Sequence, residues 1–529
     1  MQQLLNRLSF IFLSFIACLS FFSCKKDNRF STTSDPSTAL VQSDNTARIK
    51  SVEFYALTSG NELVKYATGN PLREMGSKTI TNLQSGETIL AIDFRPATGQ
   101  LYGVSNMSRL YIINLNSGNA TAVGAAPFSP AINGTRVALD FNPTVDRIRL
   151  VTDNGQNLRL HPELGTVVFT DGSINPGTSA VTAVAYTNSF AGATTTTLFD
   201  IDAATNSLYR QIPPNNGTLE VVGPLGLEIS SEGGFDISAD NSLALAALFG
   251  RDNDDSDIEE SPGNKYRFYY INLQTGEATN GGKTDRQILG LAIPTNPVAY
   301  AVSETNDLLI FNPLKAATTI AKPVTGLQVG ESILGIDLRP ATGQLFAVGS
   351  SSRLYTINTA NGAATLVGGG AFSPALSGTS FGLDFNPTVD RIRLVSNAGQ
   401  NLRLHPVLGT VVFTDMNLNP GTPSVDAAAY INNFPGATTT TLFDIDFAAD
   451  KLYTQAPPNN GTLVEVGSLG VDVSAANGFD IGGTSGSAYA VLSSGANHGI
   501  YRVNLMTGAA TKMSSFPVKV NGFAIGLGF

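Results

Sequence analysis

The chain is poor in charge and in histidine and has no tryptophan. Only 14% of its 529 residues are Asp, Glu, Lys or Arg, against ~25% in a typical soluble domain. The balance is acidic, with a net charge of -10, which argues against a phosphate-binding surface and so against nucleic acid as a partner. Two cysteines exclude a disulfide-built scaffold. The three histidines, His161, His405 and His498, stand without the clustered ligands that zinc requires. No metal and no cofactor are expected. There is no G-x-S-x-G elbow, no Walker loop and no H-E-x-x-H. Turn formers are abundant, with Gly 53 and Pro 26. Together with plentiful β-branched and aromatic residues, they predict short strands and turns, and argue against long helices and disorder.

The first residues read as a targeting segment. Arg7 is the sole charge ahead of an apolar run from Leu8 to Phe22, which is short for a membrane span of ~20 residues. The tail Phe21-Phe22-Ser23-Cys24 resembles a bacterial lipobox. That resemblance implies removal of residues 1–23, diacylglycerol on the Cys24 thiol and an acylated new amine. A plain signal peptide or an uncleaved anchor is the alternative. Two or three acyl chains hold a membrane firmly where one gives only marginal binding. Residues 24–47 are polar and Ser/Thr-rich, and read as a flexible tether. Cys18 leaves with the peptide and Cys24 becomes a thioether, so cysteine catalysis is excluded under this reading.

The remainder is a duplication. Asp140 to Asp171 and Asp384 to Asp415 differ at only four of 32 positions, at an offset of 244 residues. The same offset aligns AIDFRPATGQLYGV at Ala91 with GIDLRPATGQLFAV at Gly335, and GATTTTLFDID at Gly192 with its copy at Gly436. After GFDI the offset falls to 232, because the first copy carries a twelve-residue net insertion with an acidic run over 252–260. That run reads as a solvated loop. It lacks the glycine and register of an EF-hand calcium loop.

Each copy contains smaller units. Ile89 to Gly124 reads as strand, RPATGQ turn, strand, turn, strand, NSG turn and strand. The pattern recurs near 51–83, 137–170, 180–223 and 233–281. Five four-stranded units per copy predict an all-β fold of propeller blades. Closure has two versions. In two five-bladed rings, ILGLAIP at 288–294 returns to the first blade of its copy, as NGFAIGLGF at 521–529 does in the second. In one ten-bladed ring, ILGLAIP forms a hairpin with AYAVS at 299–303. Two rings are favoured, because ten blades exceed the typical four to eight.

DFRPATGQLYGV, LYIINLNSGNATAVG, DFNPTVDRIRLV and GQNLRLHP resemble the bacterial domain of unknown function DUF4394. The resemblance covers 48–295 and 296–529. It implies a propeller-like fold and export, and suits a Bacteroidota-type envelope lipoprotein. It carries over no catalytic residue.

The best candidate cluster lies in the nearly identical blade. Alternation places Arg147 and Arg149 on one face, and Asn157, Arg159 and His161 on the matching face of the adjacent strand. The second copy supplies Arg391, Arg393, Asn401, Arg403 and His405. Arginine forks suit carboxylates, sulfates or sugar hydroxyls. The competing expectation is that these arginines pair with Asp140, Asp146 and their counterparts and lock the blade. Asp200/Asp202 and Asp444/Asp446 offer paired carboxylates, with hydrogen bonds to blade turns as the plainer role.

The expected function is non-catalytic binding or scaffolding at the cell envelope, with a glycan or an envelope protein as partner and the membrane held through Cys24. Location at the outer membrane is expected, periplasmic or surface-facing. An extracellular polysaccharide lyase or hydrolase is the alternative.

Overall fold

The computed structural model describes residues 51–69, 72–177, 180–251, 265–316, 318–476 and 478–529. The leader, Cys24, the tether and the acidic loop lie outside the described residues. No helix among the described residues is long and apolar enough to cross a membrane.

The strands form ten four-stranded antiparallel sheets, five from each copy. Strand by strand, the apolar runs explain the layering. Val181–Tyr186 and Leu101–Ser105 are buried throughout, whereas Arg73–Thr79 is exposed at every position. Each sheet thus runs from a buried inner strand toward a more solvated outer one. Tight turns join the strands. In RPATGQ, the Arg95 carbonyl accepts from the Thr98 and Gly99 amides, and Gly99 takes the left-handed conformation (φ 71°) that the turn requires.

The end of each copy returns to its beginning. Ile288–Ala292 pairs with Glu53–Thr58, with Tyr55 opposite Ala292 and Leu57 opposite Gly290. Val520–Ile525 pairs with Ala299–Ser303, with Ala301 opposite Phe523. The hairpin that a single ten-bladed ring needs, between 288–292 and 299–303, is replaced by these two returns. In the first copy, Ile89–Phe94, Val137–Asn142, Val181–Tyr186, Glu228–Ile237 and Ile288–Ala292 pack successively, and the last contacts the first. The second copy repeats this cycle with Ile333–Leu338, Phe381–Asn386, Val425–Tyr430, Phe479–Ile481 and Val520–Ile525.

Apolar side chains fill the space between successive sheets. Tyr102, Val104 and Leu110 meet Phe141, Ile148 and Leu150, and the Tyr102 and Phe141 rings lie edge-on at 5.2 Å. Each side chain so buried is worth about 1.5–3 kcal/mol, so the sheet-to-sheet seams are where the fold gains most.

The two copies pack into one compact unit. The Tyr300 hydroxyl donates to the Ala97 carbonyl at 2.7 Å, and the Gly528 amide to the Thr98 carbonyl at 2.8 Å. Arg95, 1% exposed, reaches the Gly343 carbonyl of the second copy at 3.3 Å while pairing with both Asp146 and Glu163. Its counterpart Arg339 pairs with Asp390, and Val407 stands where Glu163 would be. One of the four differences in the near-identical stretch therefore supplies a second carboxylate to the arginine that the contact between copies buries.

Candidate functional site

The arginine cluster is drawn together, and into the protein. Register sets Arg149 opposite Arg159, as alternation predicts. Arg149 is buried and donates to Asn157 Oδ1 (2.6 Å), Asp171 Oδ2 (2.6 Å) and Asn215 Oδ1 (2.8 Å), with the Tyr186 hydroxyl at 3.4 Å. Arg159 forms two bonds to Asp171, at 2.7 and 2.8 Å, and lies 4.2 Å over the Phe169 ring. Asn157 donates to the Gly172 and Pro214 carbonyls. Tyr186 belongs to the next sheet, and Pro214 and Asn215 to the turn that joins two of its strands, so the network ties two sheets together. The second copy repeats it with Arg393, Asn401, Arg403, Asp415, Tyr430 and Asn459. The carboxylate partner is Asp171, where the sequence pointed to Asp140 or Asp146.

The flanking members sit at the edge of this network. Arg147 and Arg391 donate to the carbonyls of Asp146 and Asp390. His161 Nδ1 accepts from the Glu163 amide, and burial, then the nearby Arg147 and Arg95, push its pKa down to about 4. His405 accepts from the Val407 and Leu408 amides, and its pKa is lowered by burial and Arg391. Both rings are thus neutral turn caps at neutral pH.

Of the paired carboxylates, Asp202 and Asp446 bind turn amides, at Ala204 and Ala448. Asp200 and Asp444 are wholly buried, and neither carboxyl oxygen of either has a hydrogen-bond partner. Burial raises the pKa of both, that of Asp444 to about 8.

Two features escaped sequence reasoning. The first is a ring of aspartates at the centre of each copy. Asp93, Asp140 and Asp236 occupy the same position near the end of three inner strands, and their carboxylate oxygens lie within 4.8 Å of one another. Asp337, Asp384 and Asp480 repeat this. Ala185 and Ala292 fill the two remaining positions of the first copy. The signal was present in IDF, LDF and FDI, but their convergence appears only when the strands close into a cycle.

The second is an opening at the other end of the same inner strands. In the first copy, Leu90, Val137, Thr182, Glu232 and Leu289 line a cavity of about 240 Å³. Arg136, Tyr266 and Gln287 are shared with an adjoining cleft of about 660 Å³, which extends to Phe249 and Arg286. Arg136 is exposed and forms no ion pair with a described residue. Phe249 and Tyr266 present rings 4.8 Å apart. Glu232 is buried, accepts from the Thr182 hydroxyl at 2.6 Å, and keeps Oε1 without a partner. Burial lifts its pKa to about 7.

The second copy lacks these groups. Ser380, Asp426, Ala476, Ser493, His498 and Val518 stand where the first has Arg136, Thr182, Glu232, Phe249, Tyr266 and Arg286. His498 bonds Ser493 at 2.8 Å, a polar pair in place of the aromatic one. Aligning the copies for their differences, rather than their identities, would have exposed this site.

The family model for a domain of unknown function, DUF4394, matches residues 62–292 and again 300–525. The chain belongs to the DUF4394 family. It carries two tandem DUF4394 domains, and the ten sheets divide between them. No curated protein matches this DUF4394 chain. Among solved structures, it is similar to the extracellular domain of a one-component system from B. thetaiotaomicron, at 12% identity and a TM-score of 0.24, covering 88% of this chain and 66% of that one. A second structure of that domain, described as part of a hybrid two-component system, gives the same values. The Dos1 propeller matches at 10% identity and a TM-score of 0.25, over 65% of this chain and 92% of that one. At this level of superposition, these likenesses bear on neither fold nor function.

Proposed function

We propose that this DUF4394 protein is an exported, non-catalytic binding protein of the cell envelope, anchored through lipid on Cys24. Each repeat closes as a five-bladed propeller, with the returning strand shared by the first blade. The ligand is an acidic glycan, taken at the mouth of the first propeller. One observation carries this reading: the two copies are nearly identical in the blade interior yet differ at the mouth, where the first has a cleft of ligand size bordered by the Phe249–Tyr266 pair and by Arg136, which forms no ion pair with a described residue, and the second has Ser493, His498 and Ser380 in their place. Arg136 suits a carboxylate or sulfate, Phe249 and Tyr266 suit a sugar face, and Gln287 suits hydroxyls. The Arg149 and Arg393 networks we assign to the fold, because their donors already have protein partners.

An enzymatic reading draws on Glu232, whose pKa near 7 suits a general acid. Residues 48–529 on a polysaccharide array, with mass spectrometry of every hit, separate the two. Binding of uronate-bearing or sulfated glycans without cleavage is expected. Cleavage abolished by Glu232→Gln would move the protein to the hydrolases or lyases. Failure to bind any acidic glycan would overturn the glycan reading.

A further inference from the structure

We propose that the aspartate ring at the centre of each repeat is a binding site for a hard divalent cation of the calcium class, two per chain. Three carboxylates meet there, each at most 3% exposed. No lysine, arginine or histidine pairs with any of the six among the described residues. Their hydrogen-bond partners are backbone amides, joined at Asp480 by the Asn433 side-chain amide at 3.4 Å. Asp93 accepts from the Phe94 and Phe141 amides, Asp236 from those of Ile237 and Ile293, and Asp140 from that of Tyr186. Five neutral donors orient the carboxylates without neutralising them. Three like charges at this spacing, away from water, are costly unless a cation or protons compensate.

The geometry favours a cation. Three atoms mutually within 4.8 Å fit around a point about 2.8 Å from each, close to the ~2.3–2.6 Å of calcium–oxygen bonds. The set is all oxygen, which selects calcium, magnesium or manganese over zinc or copper. The spacing is wide for the ~2.0–2.1 Å that magnesium demands.

A separate observation points the same way. Asp384 Oδ2 is buried and accepts no hydrogen bond, although the other oxygen of that carboxylate takes the Tyr430 amide. An acceptor left open in a ring of acceptors is where a cation would be held. Both repeats keep all three carboxylates, although their mouths have diverged. The site thus belongs to the framework of the repeat and is independent of the mouth.

The test uses full-length protein in detergent. After extensive dialysis at pH 8 in calcium-free buffer, elemental analysis is expected to find residual or re-added calcium at two ions per chain. The melting temperature is expected to rise by about 3–5 °C for each tenfold increase in calcium above the dissociation constant, beyond any effect of sodium at equal ionic strength. Asp140→Asn keeps an oxygen for the Tyr186 amide and removes the charge. It is expected to reduce the stoichiometry to one, and Asp140→Asn/Asp384→Asn to none. No bound calcium, magnesium or manganese in the unmodified protein, together with a melting temperature indifferent to all three, would overturn the proposal and leave shared protons as the compensation. That result does not depend on the variants folding.

Discussion

Removing Arg149 tests whether the arginine cluster holds sheets together. Arg149→Met keeps much of the volume and deletes the guanidinium. Asn157 Oδ1 and Asn215 Oδ1 then lose their donor, and Asp171 loses one of its two cations. Breaking a buried ion pair from one side costs about 3–5 kcal/mol. The low end, about 3 kcal/mol, applies here, because Asp171 keeps the two bonds from Arg159. Arg159 is the control. Its side chain is 23% exposed, so Arg159→Ala should cost about 1 kcal/mol, from an ion pair and a cation–π contact open to solvent. Asp171→Ala strips a charged partner from both arginines and should cost the most. Urea unfolding followed by circular dichroism reads the order, since the chain has no tryptophan for fluorescence. Hydrogen exchange of Arg147–Thr152 localises the effect to the first repeat. Arg393, Arg403 and Asp415 should give the same order in the second. If Arg159→Ala costs as much as Arg149→Met in both repeats, the sheet-locking role is wrong.

Other outcomes follow from the same geometry. Glu232 has its pKa raised to about 7 by burial, so between roughly pH 4.5 and 7 the folded protein holds a proton that the unfolded chain has lost. Its contribution is fully present below that window and is lost as pH rises through it, by about 3 kcal/mol. Glu232→Gln should therefore be more stable than the parent at pH 8 and no more stable at pH 4.5; equal differences at both pH values would contradict this. Gly528→Ala would drive a methyl into the Gly99 carbonyl, so it should loosen the contact between repeats, read as faster exchange of residues 95–100. Arg147→Ala/Arg159→Ala should leave the affinity for the acidic glycan within about twofold, since neither lines the mouth; a larger loss would return the ligand to that blade. Metabolic labelling with palmitate should mark the protein and fail to mark Cys24→Ser, and intact mass should show loss of residues 1–23.

The sheets were legible in the sequence because each strand has its own apolar pattern and its own turn, as in ILAIDF-RPATGQ-LYGVS. The return of ILGLAIP to the first sheet was open to argument, since adjacency in sequence favours the hairpin with AYAVS and only closure of the repeat favours the return. Alternation gave the shared face of Arg149, Asn157 and Arg159 correctly. It says nothing of what covers that face, so the buried partners Asp171 and Asn215 were out of reach. The aspartates of IDF, LDF and FDI lie on different sheets, about 50 residues apart along the chain for neighbours such as Asp93 and Asp140, and no local pattern marks their meeting. Glu232 and Tyr266 share that difficulty, with one remedy: the second copy is an internal control, and its Ala476 and His498 mark both positions as changed.

The most direct measurement is a titration of the best acidic glycan from the array against the parent and against Arg136→Ser/Tyr266→His. That variant installs in the first mouth the residues the second carries at Ser380 and His498. Loss of a charge-assisted bond and of an aromatic face should weaken binding by at least about tenfold, with the circular dichroism spectrum unchanged. Unchanged affinity in the folded variant would contradict a binding site at the mouth of the first repeat.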